Sequence, residues 1–252
     1  MQSSKSQNPL LDQMLTRETP PDWSLVLALF FVAAFVVAWI AGQIIVSTLA
    51  GEAIPSANSL AVGGLVGCVA IALAVLLWAR RSTSDWADAL HLRQPRNPPL
   101  FLVVLIGLAA AWAIDLVAVL LKLKGDLFIP PLYDTLAQPI GSAWVAVALF
   151  TIVFQPVAEG LVFYGILYPA LVRDTNSNLI AVLLVAVVYA VVNGAILSGG
   201  QGGPWFALAQ PFLMALIVGL VRAYSKSTQS AIVARSLFGL FIVLAALISV
   251  RA

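Results

Sequence analysis

Three ionisable side chains stand well inside apolar stretches of this 252-residue chain: Asp115, Glu159 and Arg235. A carboxylate in such surroundings can act as a general base, ligate a metal or pair with a cation. Glu159 has the most informative setting, Gln155-Pro156-Val157-Ala158-Glu159-Gly160-Leu161-Val162-Phe163-Tyr164-Gly165. Proline removes one helix hydrogen bond and bends the helix, which frees a carbonyl. A bend, a freed carbonyl and a carboxylate within about one turn describe a polar pocket. Arg235 stays charged, and can neither take a proton nor ligate a metal. Its chemistry is that of a counter-ion.

The elements that hold these residues are transmembrane helices. Hydrophobic residues make up 62% of the chain and charged residues 10%, with a mean hydropathy of +1.01. Soluble chains average about 45–50% apolar and about 25% charged. A hydrocarbon core of about 30 Å takes about 20 apolar helical residues. That rule gives an all-α, polytopic bundle of about seven spans, at 23–49, 60–78, 100–121, 143–172, 179–197, 205–221 and 230–250. A polar tail, 1–22, precedes a single transmembrane domain, 23–252. Trp23, Trp78, Trp144 and Trp205 fall at span ends, where interfacial anchors belong. Gly63 and Gly67 have the spacing that lets helices approach closely. A broken eighth span at 127–140 is one reading; the prolines at 130, 131 and 139 favour the other, a surface or re-entrant loop.

Basic residues set the expected orientation. With the N-terminus cytoplasmic, Lys5, Arg17, Arg80, Arg81, Arg93, Arg96, Arg173, Arg222 and Lys226 lie on the cytoplasmic side. Only Lys122, Lys124 and Arg251 lie opposite, which agrees with the positive-inside rule. The expected location is the cytoplasmic (inner) membrane. Residues 84–90 of the long polar connection read as a capped, amphipathic turn or two at the headgroups. His91, in the same loop, is the sole histidine and reads as a solvated side chain; alone it builds no multi-histidine metal site. Cys68 cannot form an internal disulfide and reads as a packing residue. A net charge of +2 gives no reason to expect nucleic acid.

Depth decides which intramembrane charges meet. Glu159 lies roughly 17–20 Å from the inner end of its span. Arg235 enters from the same side, and its long stem extends several ångströms. A buried Glu159–Arg235 ion pair is one expectation; the other is an arginine that snorkels to the headgroups above a protonated glutamate. Asp115 lies in the outer half of its span, and a serine, tryptophan or backbone group nearby is its expected partner.

The stretch from Pro156 to Leu171 resembles the first motif of the CPBP family of intramembrane proteases, which process CAAX proteins and bacteriocins. The family pattern is P-x-x-E-E-x-x-F-R-G. Pro156, Glu159, Phe163 and Gly165 match it, whereas Gly160 replaces the second glutamate and Tyr164 the arginine. The second motif, F-x-x-x-H, has its counterpart at Tyr189 and Asn193. In the third, Arg235 stands for a histidine and Gly239 for the Asn or Asp that often follows it. The resemblance implies a CPBP-protease-like core over about 100–252. It also implies that two glutamates and two histidines would bind or activate a water in an active member.

Here only Glu159 of that set keeps its chemistry. The expectation is a member whose catalytic motifs are lost, with no metal and no cofactor, embedded in the lipid bilayer and serving as an accessory subunit or scaffold among other membrane protein subunits. A divergent endopeptidase using Glu159 is the alternative. A transporter fits less well, because no inverted repeat and no polar stripe is visible.

Overall fold

A computed structural model describes residues 23–92, 100–120, 135–136, 140–193 and 206–251. The expected tail at 1–22, the bulk of the loop at 127–140, Trp205 and the basic residues Lys5, Arg17, Arg93, Arg96, Lys122 and Lys124 lie outside these residues. Every element among the described residues is helical. In chain order they are α1 (Leu25–Leu49), α2 (Ala57–Ser82), the single turn α3 (Trp86–Ala89), α4 (Leu100–Leu120), α5 (Ser142–Thr175), α6 (Asn178–Asn193), α7 (Phe206–Ser225) and α8 (Thr228–Arg251). Six of them are long and apolar enough to cross a membrane, while α6 is shorter. The span expected at 179–197 is thus described only as far as Asn193.

Short polar residues start the helices. The hydroxyls of Ser24, Ser56 and Ser177 accept from the amides of Leu27, Ser59 and Ile180 at 3.2–3.3 Å, which satisfies otherwise orphaned donors. Asn176 and Lys226 adopt left-handed φ of 56° and 54°. They stop α5 and α7, and the next helix begins two residues later in each case. The α1–α2 hairpin is closed by glycine. A Cβ on Gly42 would strike the Gly63 carbonyl, and one on Gly67 would strike the Ala38 carbonyl. The Gly63/Gly67 spacing therefore serves packing within the chain.

Helix α5 runs through the centre, with α1, α2, α6 and α8 against it. Its 34 residues extend roughly 50 Å. Neither proline in it breaks the helix. The stretches Phe150–Phe154 and Gly160–Leu167 are π-helical, so the ladder widens ahead of each proline. The Gln155 amide donates to the Phe150 carbonyl, and the Tyr168 amide to the Phe163 carbonyl. The expected bend at Pro156 is thus a pair of π stretches in a continuous helix.

One end of the bundle is tied together by side chains. Trp23 is buried; its indole N–H donates to the Ile166 carbonyl at 3.1 Å and its ring meets Trp78 edge-on at 5.4 Å. Arg173 donates to the Trp23 carbonyl at 3.0 Å. Trp23 is therefore an internal lock rather than the lipid-facing anchor expected of a span end. At the same end Arg80 stacks on Trp86, and the Thr228 amide donates to the His91 carbonyl at 2.8 Å. His91 is half-buried with a left-handed φ, not a freely solvated loop residue. Asp85 makes no side-chain cap bond to α3, and the buried Leu90 instead fastens the loop to the bundle. Substituting Gly63 by leucine is expected to destabilise the chain by about 1–3 kcal/mol or more, because backbone blocks the new side chain. Thermal unfolding in detergent measures this; an unchanged midpoint would contradict the close approach.

Candidate functional site

The two carboxylate oxygens of Glu159 face different partners. Oε1 accepts from the Gln155 side-chain amide at 2.7 Å. Oε2 accepts from Arg235 Nε at 2.7 Å and from the Tyr189 hydroxyl at 2.8 Å. Arg235 Nε also lies 3.3 Å from that hydroxyl oxygen. Glu159 is wholly enclosed and Arg235 nearly so. Helices α5, α6 and α8 thus each contribute to one hydrogen-bonded ionic cluster. A salt bridge of this kind replaces solvation that the apolar interior cannot give.

Local structure explains the convergence. Gln155 and Glu159 are one turn apart on α5, so their side chains share a face. Gly160 lets α8 come close: a Cβ there would run into Ile232 Cγ1, and Ile232 precedes Arg235 by three residues. Gly239, one turn after Arg235, plays the same part on α8. A Cβ there would strike the Thr151 carbonyl. That carbonyl is the one a continued π pattern would have paired with the N–H that Pro156 lacks. Of the motif counterparts, Gly160 and Gly239 are therefore packing positions.

The remaining counterparts point elsewhere. The Tyr164 hydroxyl donates to the Ala215 carbonyl on α7 at 3.0 Å. Asn193 turns its amide to the Tyr189 carbonyl of its own helix at 3.2 Å. Gln155, one turn before Glu159, joins the cluster, whereas Asp115 makes no hydrogen bond to Glu159. Asp115 makes no hydrogen bond or ion pair among the described residues, in contrast to the nearby serine, tryptophan or backbone partner expected for it.

Two contributions were not anticipated. The Tyr189 hydroxyl is the group that distinguishes tyrosine from the family's phenylalanine, and it is the hydroxyl that reaches Glu159. Arg222, read as a basic flank, is wholly buried. Its Nε donates to the Tyr164 carbonyl at 3.2 Å, Thr228 Oγ1 donates to the same oxygen at 3.4 Å, and the guanidinium lies 4.9 Å over the Tyr168 ring. Pro169 provides the reason. In the π register the Tyr164 carbonyl would receive the amide of residue 169, and proline has none.

A hydrolytic metal does not fit this arrangement. Catalytic zinc takes three protein ligands, and among the described residues no three His, Cys, Asp or Glu side chains gather. Of the motif positions, only Glu159 supplies a carboxylate, and the Arg235 guanidinium already occupies its approach.

Residues 141–241 match the family model described as Type II CAAX prenyl endopeptidase Rce1-like. The match spans α5 to most of α8 and includes every motif counterpart named above. The resemblance to the CPBP family is thus shown over this segment. No curated protein and no solved structure matches the chain.

Gly160→Ala is expected to destabilise the chain by about 1–3 kcal/mol through overpacking against Ile232. Adding Ile232→Ala should recover part of that loss. Chemical or thermal unfolding in detergent reads both effects, and a second change that gives no recovery would contradict the contact.

Proposed function

We propose that this multi-pass membrane protein, whose residues 141–241 are those of an Rce1-like, CPBP-family core, has given up peptide hydrolysis and serves as a non-catalytic accessory subunit or scaffold for other membrane proteins. One observation carries the reading: both oxygens of the enclosed Glu159 are held by protein groups, one of them a permanent cation. A general base must reach the proton of a water beside the scissile bond. Here the place next to the carboxylate belongs to Arg235 and Tyr189.

The substitutions agree in direction. The second carboxylate of the family pattern is absent, and Ile232 fills the space beside Gly160. Asn193 can neither act as a base nor turn toward Glu159 while it bonds its own helix. The cluster then works as a clamp that holds α5, α6 and α8 in register. In the cell this chain sits in the cytoplasmic membrane with its N-terminus inside, a placement supported by the excess of basic residues in the segments of the sequence that fall on that side.

The second reading, a divergent endopeptidase, draws on the π stretches that flank Glu159, since such bulges are frequent at functional sites. A panel of prenylated CAAX peptides, incubated with the purified chain in liposomes, separates the two. The proposal expects no cleavage above that of Glu159→Ala, and stoichiometric membrane partners on native purification. Cleavage that disappears in Glu159→Ala would establish the endopeptidase instead.

A further inference from the structure

Helix α4 is the least enclosed of the six long helices, with 22% of its span buried against 61% for α5. One face is occupied: Val103, Gly107, Ala111 and Ile114 are buried, and Gly107 lies against Leu237 of α8. Most of the rest of the helix is bare, and within it Leu105, Ala109, Trp112, Leu116 and Val119, all exposed, make one stripe at the alternating four- and three-residue spacing that a facing helix reads.

Two polar groups on or beside this face have no hydrogen-bond or ionic partner among the described residues: the Trp112 indole N–H and the Asp115 carboxylate. They are three residues apart, hence neighbours on the helix surface. Trp112 is 57% exposed and stands near the middle of a helix roughly 30 Å long. Tryptophans that contact lipid concentrate at the two interfaces instead. Asp115 lies roughly 7 Å inside the end of α4 and has no long stem along which to snorkel. A lone carboxylate at such depth ordinarily has a partner.

The geometry points to this face of α4 as the seat of a transmembrane helix from another protein, one that carries a single lysine or arginine at the depth of Asp115. A carboxylate beside an aromatic ring receives a cation twice, by charge and by the ring face. A second copy of the chain meeting along the same seam would set Asp115 against Asp115, which like charges oppose. The inference rests on the accessory-subunit reading and gives it a surface and a partner chemistry.

The test uses labelled full-length chain in liposomes with labelled leucine–alanine transmembrane peptides of about 20 residues. One peptide carries a single lysine at the matching depth, and the control carries leucine there. Energy transfer is expected to show about ten-fold tighter association of the lysine peptide. Asp115→Asn, a change at the protein surface, should abolish the difference while leaving the unfolding midpoint unchanged. Asp115→Lys should transfer the preference to a peptide carrying glutamate. Equal association of both peptides, or a lysine preference that survives Asp115→Asn, would overturn the assignment. So would energy transfer between copies of the chain that depends on Asp115. These outcomes are separate from peptide cleavage, which would sink the non-catalytic reading without altering the peptide preference.

Discussion

Burying a carboxylate among apolar helices is the constraint on which this bundle turns. Glu159 is shut off from solvent, so three helices supply its donors. Gln155 comes from the same helix, Tyr189 from α6 and Arg235 from α8. Each donor fixes a register, because a helix that slides by one residue carries its side chain to another face. Apolar packing alone specifies transmembrane registers weakly, since lipid is as apolar as leucine. The ionic cluster therefore does for register what the surrounding aliphatic side chains cannot.

A second polar account, inside α5 itself, follows from its prolines. Pro156 and Pro169 each withhold an amide, and in a bilayer the abandoned carbonyl must find another donor. The two places differ. At Pro169, Arg222 and Thr228 reach in from α7 and α8 to donate to the Tyr164 carbonyl. At Pro156, Gly239 lets the backbone of α8 cover the Thr151 carbonyl, a close contact and not a hydrogen bond. The π stretches are what make both carbonyls available at those places. Thus the helix that carries the family's first motif is held by its neighbours through backbone as well as through Glu159.

Much of this was open to the sequence. Apolar runs gave the helical, membrane-crossing class, and the family match over 141–241 agrees with the motif order read from Pro156, Tyr189 and Arg235. Pairing Glu159 with Arg235 could be considered because only three charges lie within spans and two of them approach from one side. The Gln155–Glu159 spacing of four also carried its signal. Other features were hidden for physical reasons. The role of Arg222 depends on a π register that no residue pattern announces, so it read as a topology charge. Trp23 stands where an interfacial anchor would, and only the approach of α5 turns it inward. His91 read as solvated because a backbone contact to α8 leaves no trace in side-chain type.

As a coupled structural pair, Glu159 and Arg235 contribute to stability in a way that depends on each other. A double-mutant cycle with Glu159→Gln and Arg235→Leu, read by equilibrium unfolding in detergent, tests it most directly. Arg235→Leu alone should cost about 3–5 kcal/mol, since it strands a buried carboxylate. The double variant should be clearly more stable than the sum of the two single losses implies. Strictly additive losses, or single variants as stable as the parent chain, would contradict it.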